Sequence, residues 1–195
     1  MRILVVGATG VIGRAVADAL AERGHDVLRA SRRAEHAVDL TDARSIRALY
    51  ARVGRVDGVV SCAGNAAFKP LLENTDEDFA MSLRDKLMGQ VNLVRCGVEH
   101  VNDGGVFVLT AGIYGTKPPP GAVAGAMVNG ALESFARAAA QDLPRGIRIV
   151  TISPPWIKES AVEIGADAPL TAAQNAKSYV EVVEGSGTGV ILYPG

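Results

Sequence analysis

The residues best placed to do chemistry in this chain of 195 form a glycine triplet, a basic dipeptide and a lysine on a helix. Gly7-Ala8-Thr9-Gly10-Val11-Ile12-Gly13 directly follows the apolar run Arg2–Val6 and directly precedes a helical pattern over residues 14–23. Strand, glycine turn and helix in that order make a phosphate site. Gly7 allows the tight turn, Gly10 lets backbone N–H groups approach a pyrophosphate, and Gly13 lets the helix pack close to the strand. A plain strand–helix turn is the simpler alternative, but three glycines each carry an entropic cost that such a turn does not need. Ser31-Arg32-Arg33 closes the second predicted strand without an acid. An acid there would meet a ribose 2′-hydroxyl, whereas basic residues favour a 2′-phosphate, so the pair points to NADP(H) in preference to NAD(H). A solvated basic turn is the alternative. Lys86 lies on or beside the apolar stripe Phe79, Leu83, Leu87, Val91 and Val94. A lysine there is costly unless it is paired, hydrated or used; snorkelling from the stripe edge is the alternative. Thr110 and Tyr114 sit on a Gly- and Pro-rich loop at the end of a strand, and Tyr114 can either swing into a site or pack on Pro118, Pro119 and Pro120.

The elements that must position these groups alternate along the chain. Strands are expected at residues 2–6, 26–30, 38–40, 57–62, 106–109, 147–152 and 190–193. Helices are expected at 14–23, from Thr41 or Asp42 through Val53, at 76 to about 100, at 122–143 and at 171–183. Alternation of this kind predicts an α/β fold: a Rossmann-like, doubly wound parallel sheet of about seven strands with helices on both faces, in a single domain over residues 1–195. Ligands of such sheets lie beyond the carboxyl ends of the strands, where strand order reverses. Gly7 to Gly13, Ser31 to Arg33, Ala63-Gly64, Thr110 to Gly112 and Pro154 to Ile157 all fall at such ends, so one crevice can collect them. The short segment near 156–170 predicts a small substrate lid.

Composition narrows the partners. Hydrophobic residues make up 48% and charged residues 21%, with a net charge of -1. That balance predicts a folded protein with no general attraction to nucleic acid or anionic membrane. No apolar run is long enough to span a bilayer, and no basic leader with a cleavage site precedes the first strand. Cys62 and Cys96 belong to no metal spacing, and His25, His36 and His100 are scattered at element ends. The expectation is a cytoplasmic protein with reduced thiols and no metal site.

The same residues resemble the short-chain dehydrogenase/reductase family over essentially the whole chain. The loop from Gly7 to Gly13 is similar to its cofactor loop, and Asp39-Leu40 to the pair that meets the adenine. Ser61-Cys62-Ala63-Gly64 resembles its Asn-Asn-Ala-Gly motif. Ile152-Ser153-Pro154-Pro155-Trp156-Ile157 resembles the Pro-Gly segment beside the nicotinamide, with Pro155 in the glycine's place. More closely, Asp85-Lys86-Leu87-Met88-Gly89-Gln90 and Ala126-Met127-Val128-Asn129-Gly130-Ala131 are similar to segments of a small subgroup of short, atypical members. The resemblance implies an NADP(H)-dependent oxidoreductase acting on a small carbonyl or alcohol. It also implies a homodimer or homotetramer built on the helices at 76–100 and 122–143.

The departures bear on mechanism. The family's catalytic Tyr and Lys, four residues apart, fall at Gly125 and Asn129, its serine falls near Thr110 or Ala111, of which only Thr110 has a hydroxyl, and its helix-borne asparagine falls at Lys86. The resemblance therefore implies an exchange of Lys and Asn between two helices. Thr110 would orient the oxygen, Lys86 would set the electrostatics, and Asn129 would hold the nicotinamide ribose. Tyr114, or water held by Lys86, would move the proton. A non-catalytic NADP(H)-binding protein and a non-redox isomerase or lyase are the alternatives, because a developing oxyanion normally meets a proton donor that Gly125 cannot supply.

Overall fold

The apolar runs of the chain become strands buried on both faces, separated by helices that cover them. In the computed structural model, described for residues 1–161 and 168–195, the first half runs β1 (Arg2–Val6), α1 (Val11–Glu22), β2 (Asp26–Ser31), β3 (His36–Ala37), α2 (Ala43–Val53) and β4 (Val56–Ser61). The second runs α3 (Asp76–Ser82), a π-helical turn (Leu83–Met88), α4 (Gly89–Gly97), β5 (Val101–Thr110), α5 (Val123–Asp142), β6 (Arg148–Ile152), α6 (Lys158–Ala161), α7 (Ala172–Glu184) and β7 (Ile191–Leu192). The strands form one seven-stranded sheet in the order β3-β2-β1-β4-β5-β6-β7, and every neighbouring pair is parallel. This is the expected doubly wound α/β fold. Strand order reverses between β1 and β4, and the crevice opens at their carboxyl ends.

Period-two alternation sends successive side chains to opposite faces. Leu4, Val59, Phe107 and Ile149 join one buried cluster with α2, α4 and α5. Ile3, Val5, Val60, Val106, Val108 and Val150 join a second with α1 and α7. Tyr50, fully buried in the first cluster, satisfies its hydroxyl by donating to the Leu93 carbonyl at 2.7 Å.

Three local expectations are corrected. The third strand lies at His36–Ala37, not at 38–40. Asp39 ends it: its carboxylate accepts from the Thr41 N–H and hydroxyl, and its own N–H donates to Ser45 Oγ. Those bonds compete with a strand ladder. The helix at 76–100 is interrupted by the π-helical turn at Leu83–Met88. An extra residue per turn rotates everything after it, so Leu83 and Met88 are exposed while Ser82, Gln90 and Leu93 are buried. Of the expected stripe Phe79, Leu83, Leu87, Val91 and Val94, Leu83 is exposed, Leu87 packs against the first cluster and Val94 is buried in it, and Lys86 is half-buried. The fifth strand begins at Val101 rather than Val106, because Val101 pairs with Val56 before the register shifts. Of the expected lid, α6 covers Lys158–Ala161; residues 162–167 lie outside the described residues.

Candidate functional site

The turn after β1 is a backbone cradle. Gly7 has φ of +87°, and a Cβ there would lie 2.7 Å from the Cys62 carbonyl oxygen; one on Gly13 would overlap the Gly7 carbonyl oxygen. A Cβ on Gly10 would meet only the Gly7 oxygen at 3.4 Å and otherwise point into open space. Gly10 caps α1 with no side-chain hydrogen bond, and the first turn carries no acid. Its leading N–H groups are thus left for an anion. Across the groove, Ser31 is buried and accepts from the Arg33 N–H at 3.2 Å. Arg32 and Arg33 are exposed, and among the described residues neither joins an ion pair.

Two cavities make up the crevice. A groove of ≈ 860 Å³ is lined by Gly7, Thr9, Gly10, Ser31, Arg32, Arg33, Asp39 and Leu40. A pocket of ≈ 310 Å³ is lined by Ile12, Lys86, Thr110, Tyr114, Asn129, Pro154, Trp156 and Ile157, together with Phe68 and Ser160. Cys62, Ala63, Gly64 and Asn65 line both, so the two are continuous. Of the residues expected to bind cofactor or take part in catalysis, Val11, exposed at the start of α1, and Gly13, buried beneath the loop, line neither.

Within the pocket Lys86 is half-buried. Its Nζ donates to the Ala111 carbonyl at 3.1 Å, and its stem lies so close to Gly64 that a Cβ there would be 2.9 Å from the Lys86 Cα. Burial lowers the ammonium from its ordinary value to about 8. Asn129 on α5 is 2% exposed, and its Oδ1 has no hydrogen-bond partner among the described residues. An unpaired buried acceptor beside a cavity is costly unless a ligand or water donates to it.

Thr110 is placed differently from the expectation. Its hydroxyl donates to the Ser61 carbonyl at 2.5 Å and lies 2.8 Å from the Tyr179 hydroxyl. Its one hydrogen is committed to the Ser61 carbonyl and one lone pair faces Tyr179 on α7, so it has no hydrogen left to donate to a substrate oxygen. Cys62 is inert as well, its thiol pushed up to about 12 by burial. Tyr114 packs edge-on against Phe68 and Trp156, with ring centroids 6.2 and 6.3 Å apart.

Phe68 had no place in the sequence reading, and Gln90 appeared there only as the end of the segment Asp85 to Gln90, with no role. Gln90, fully buried, brackets the Thr110 backbone: its Nε2 donates to the Thr110 carbonyl at 2.9 Å, and its Oε1 accepts the Thr110 N–H at 3.0 Å. It fixes the strand end from which the pocket floor is built. Its polar side chain on an inner helix face was the available signal, hidden by the register of the π-helical turn.

A family model described as enoyl-(acyl carrier protein) reductase matches residues 7–184. The chain belongs to the short-chain dehydrogenase/reductase family. It is 34% identical over 125 residues to hydroxynaphthalene reductase arp2 of Aspergillus fumigatus, covering 62% of this chain and 46% of that one. It is 29% identical over 135 residues to a cyclopentanol dehydrogenase of Comamonas testosteroni, covering 66% and 52%. The chain thus spans about half the length of these curated relatives. Among solved structures, lin1944 from Listeria innocua is 40% identical with a TM-score of 0.95, covering 99% of this chain and 98% of that one. A small-chain dehydrogenase in complex with NADPH has the same fold, with a TM-score of 0.90 at 23% identity and coverage of 99% and 95%.

Membership of this dehydrogenase/reductase family sharpens the question posed by Gly125. A Cβ on Gly125 would lie 2.7 Å from Phe68 Cε1. The Phe68 ring occupies the space into which any side chain at 125 would have to project. The helix can supply no phenol there without expelling it. Among the described residues no group of three or more His, Cys, Asp and Glu could hold a metal ion, and no helix is long and apolar enough to cross a membrane.

Proposed function

We propose that this chain is an NADP(H)-dependent oxidoreductase that interconverts a small carbonyl compound and its alcohol, with Lys86 in place of the family's usual proton-handling pair. The observation that carries this reading is the half-buried Lys86 ammonium, held by a single backbone carbonyl in the pocket where the phosphate groove ends. The residues present fit NADP(H): an open cradle at Gly7, Gly10 and Gly13, an uncapped α1 and an acid-free basic turn at Ser31-Arg32-Arg33. When bound, the dihydronicotinamide supplies a hydride to the carbonyl carbon. Asn129, whose Oδ1 has no partner among the described residues, would accept a hydrogen from a hydroxyl of the nicotinamide ribose. Lys86 faces the negative charge growing on the substrate oxygen and delivers the balancing proton, directly or through water, and bulk solvent reprotonates the amine. Thr110 serves as a backbone anchor rather than a donor. Tyr114 is a wall residue, its ring held between Phe68 and Trp156.

A second reading, cofactor binding without turnover, is favoured by the Phe68 ring in front of Gly125, which removes the phenol from the helix. Titrating the protein with NADPH, then adding a panel of carbonyl compounds and following NADPH absorbance, tests both. Binding with carbonyl-dependent NADPH consumption supports the oxidoreductase. Binding without consumption supports the second reading. Chemical change in a substrate with no NADPH consumed indicates an isomerase or lyase.

Two further expectations arise from the groove and the surface. NADPH should bind more tightly than NADH, and replacing Arg32 and Arg33 by alanine should remove most of a difference on the order of 10- to 100-fold, the scale of hydrogen bonds to charged groups. Equal affinities in the unaltered protein would rule this out. We also place the protein in the cytoplasm, where its free Cys62 and Cys96 stay reduced, and assign it a homo-oligomer through α4 and α5. Met88 at the end of the π-helical turn that leads into α4, and Val123 and Met127 on α5, are exposed, and light scattering at micromolar concentration should give a dimer or tetramer mass, not a monomer.

A further inference from the structure

The pocket has one wall unlike the rest of the molecule. Aromatic residues make up 5% of the chain and it has a single tryptophan, yet Phe68, Tyr114 and Trp156 meet here from three separate loops. The Phe68 and Trp156 centroids are 5.6 Å apart with planes tilted by 56°, and Tyr114 stands edge-on to both, at 72° and 68°. At those separations the rings touch one another. They leave no gap between them for a cation, so they form a continuous wall rather than a cage. Phe68 is 44% exposed, which a ring serving only as core would not accept; one side of it remains open.

The charge of the pocket is equally one-sided. Lys86 is the only charged side chain among its described lining residues. Its partner is a neutral carbonyl oxygen, and Asn129 Oδ1 beside it is unpaired. The volume of ≈ 310 Å³ is at the small end for a ligand site, and part of it must hold the nicotinamide. What fits the remainder is flat, apolar over most of its surface and oxygen-bearing at one end.

We infer that the pocket selects planar conjugated carbonyl compounds of one or two fused rings, stacked on the Phe68–Tyr114–Trp156 wall with the oxygen toward Lys86. The carbonyl in that statement rests on the oxidoreductase reading; the selection for a planar ring rests on the wall alone. Saturated rings of the same size present axial hydrogens that hold them off an aromatic face, so they lose the stacking contribution and keep only ordinary apolar contact. An aromatic contact of this kind corresponds to about 2- to 13-fold in affinity.

The test is calorimetric titration of the NADP⁺-loaded protein with α-tetralone and with its saturated counterpart α-decalone, followed by NADPH oxidation assays with the same two ketones. α-Tetralone should bind about 2- to 13-fold more tightly. Phe68→Leu, which keeps apolar bulk and loses the ring, should bring the two ketones to within about twofold, and Trp156→Phe should leave an intermediate ratio. Melting temperatures of both variants, measured alongside, separate loss of the wall from loss of the fold. Equal affinities, preference for α-decalone, or no binding of either ketone overturns the inference. Tight α-tetralone binding without NADPH oxidation would overturn the oxidoreductase reading and leave the ligand class standing. Reduction of aliphatic carbonyls with no α-tetralone binding would do the reverse.

Discussion

Replacing Lys86 by methionine should lower carbonyl turnover by roughly 10²–10⁴-fold, the range of acid–base support, while the protein folds normally and still binds NADPH. Methionine preserves the stem packed against Gly64 and removes only the charge. The pH dependence gives an independent readout. The folded-state value of about 8 lies below the ordinary lysine value of 10.5, so between those limits the unfolded chain binds more protons than the folded one. Stability should therefore rise as pH increases from about 8 toward 10.5, and the shift corresponds to a penalty of up to about 3 kcal/mol on the ammonium form near pH 7. Lys86→Met should relieve up to that amount near neutral pH and abolish the rise, as read by denaturant unfolding at neutral and alkaline pH. Turnover of the unaltered enzyme should decline as pH passes about 8, because the proton donor is lost, and the variant's residual rate should lack that limb. Lys177→Met is the comparison, since Lys177 is exposed on α7 and lines neither cavity. An unchanged rate and an unchanged pH profile in Lys86→Met would remove Lys86 from the mechanism.

The glycine loop carries the second large effect, and two single substitutions separate its roles. Gly13→Ala places a methyl group on the Gly7 carbonyl oxygen, so backbone must move. Overpacking of this kind destabilises by about 1–3 kcal/mol, and a displaced loop should weaken NADPH binding at least roughly tenfold, since its N–H groups no longer converge on the phosphates. Gly10→Ala meets only the Gly7 oxygen at 3.4 Å and otherwise projects into open groove. It should leave unfolding within about 0.5 kcal/mol of the unaltered protein, as exposed substitutions do, and still weaken NADPH by obstructing close approach. NADPH titration and denaturant unfolding on both variants check this. Wild-type affinity in Gly13→Ala would mean that the loop is a turn and not a phosphate cradle.

The local code was enough for the scaffold. Runs such as Arg2–Val6, the triplet Gly7, Gly10 and Gly13, and the helix starts at Asp42 and Thr171 depend on neighbours a few residues away. Their reading from sequence therefore agrees with the sheet order and the position of the crevice. The absence of an acid at Ser31-Arg32-Arg33 was legible for the same reason.

What tertiary structure alone decided was orientation. One π-helical turn at Leu83–Met88 rotates the following residues, exposes Leu83 and Met88, and turns Lys86 and Gln90 inward; a 3.6-residue period cannot report a single wider turn. Thr110 sits at the expected strand end, yet its hydroxyl is taken up by Ser61 and Tyr179, the second of them 69 positions away in the chain. Phe68 carries no motif of its own. Only the folded chain brings it against Gly125, Tyr114 and Trp156, because a glycine with no side chain leaves a space that some distant side chain must fill. The sequence by itself determined that a dinucleotide groove exists and what charge its far end carries. Which side chains face the reacting centre was decided by helix rotation and by packing between segments far apart in the chain, and neither leaves a mark on local spacing.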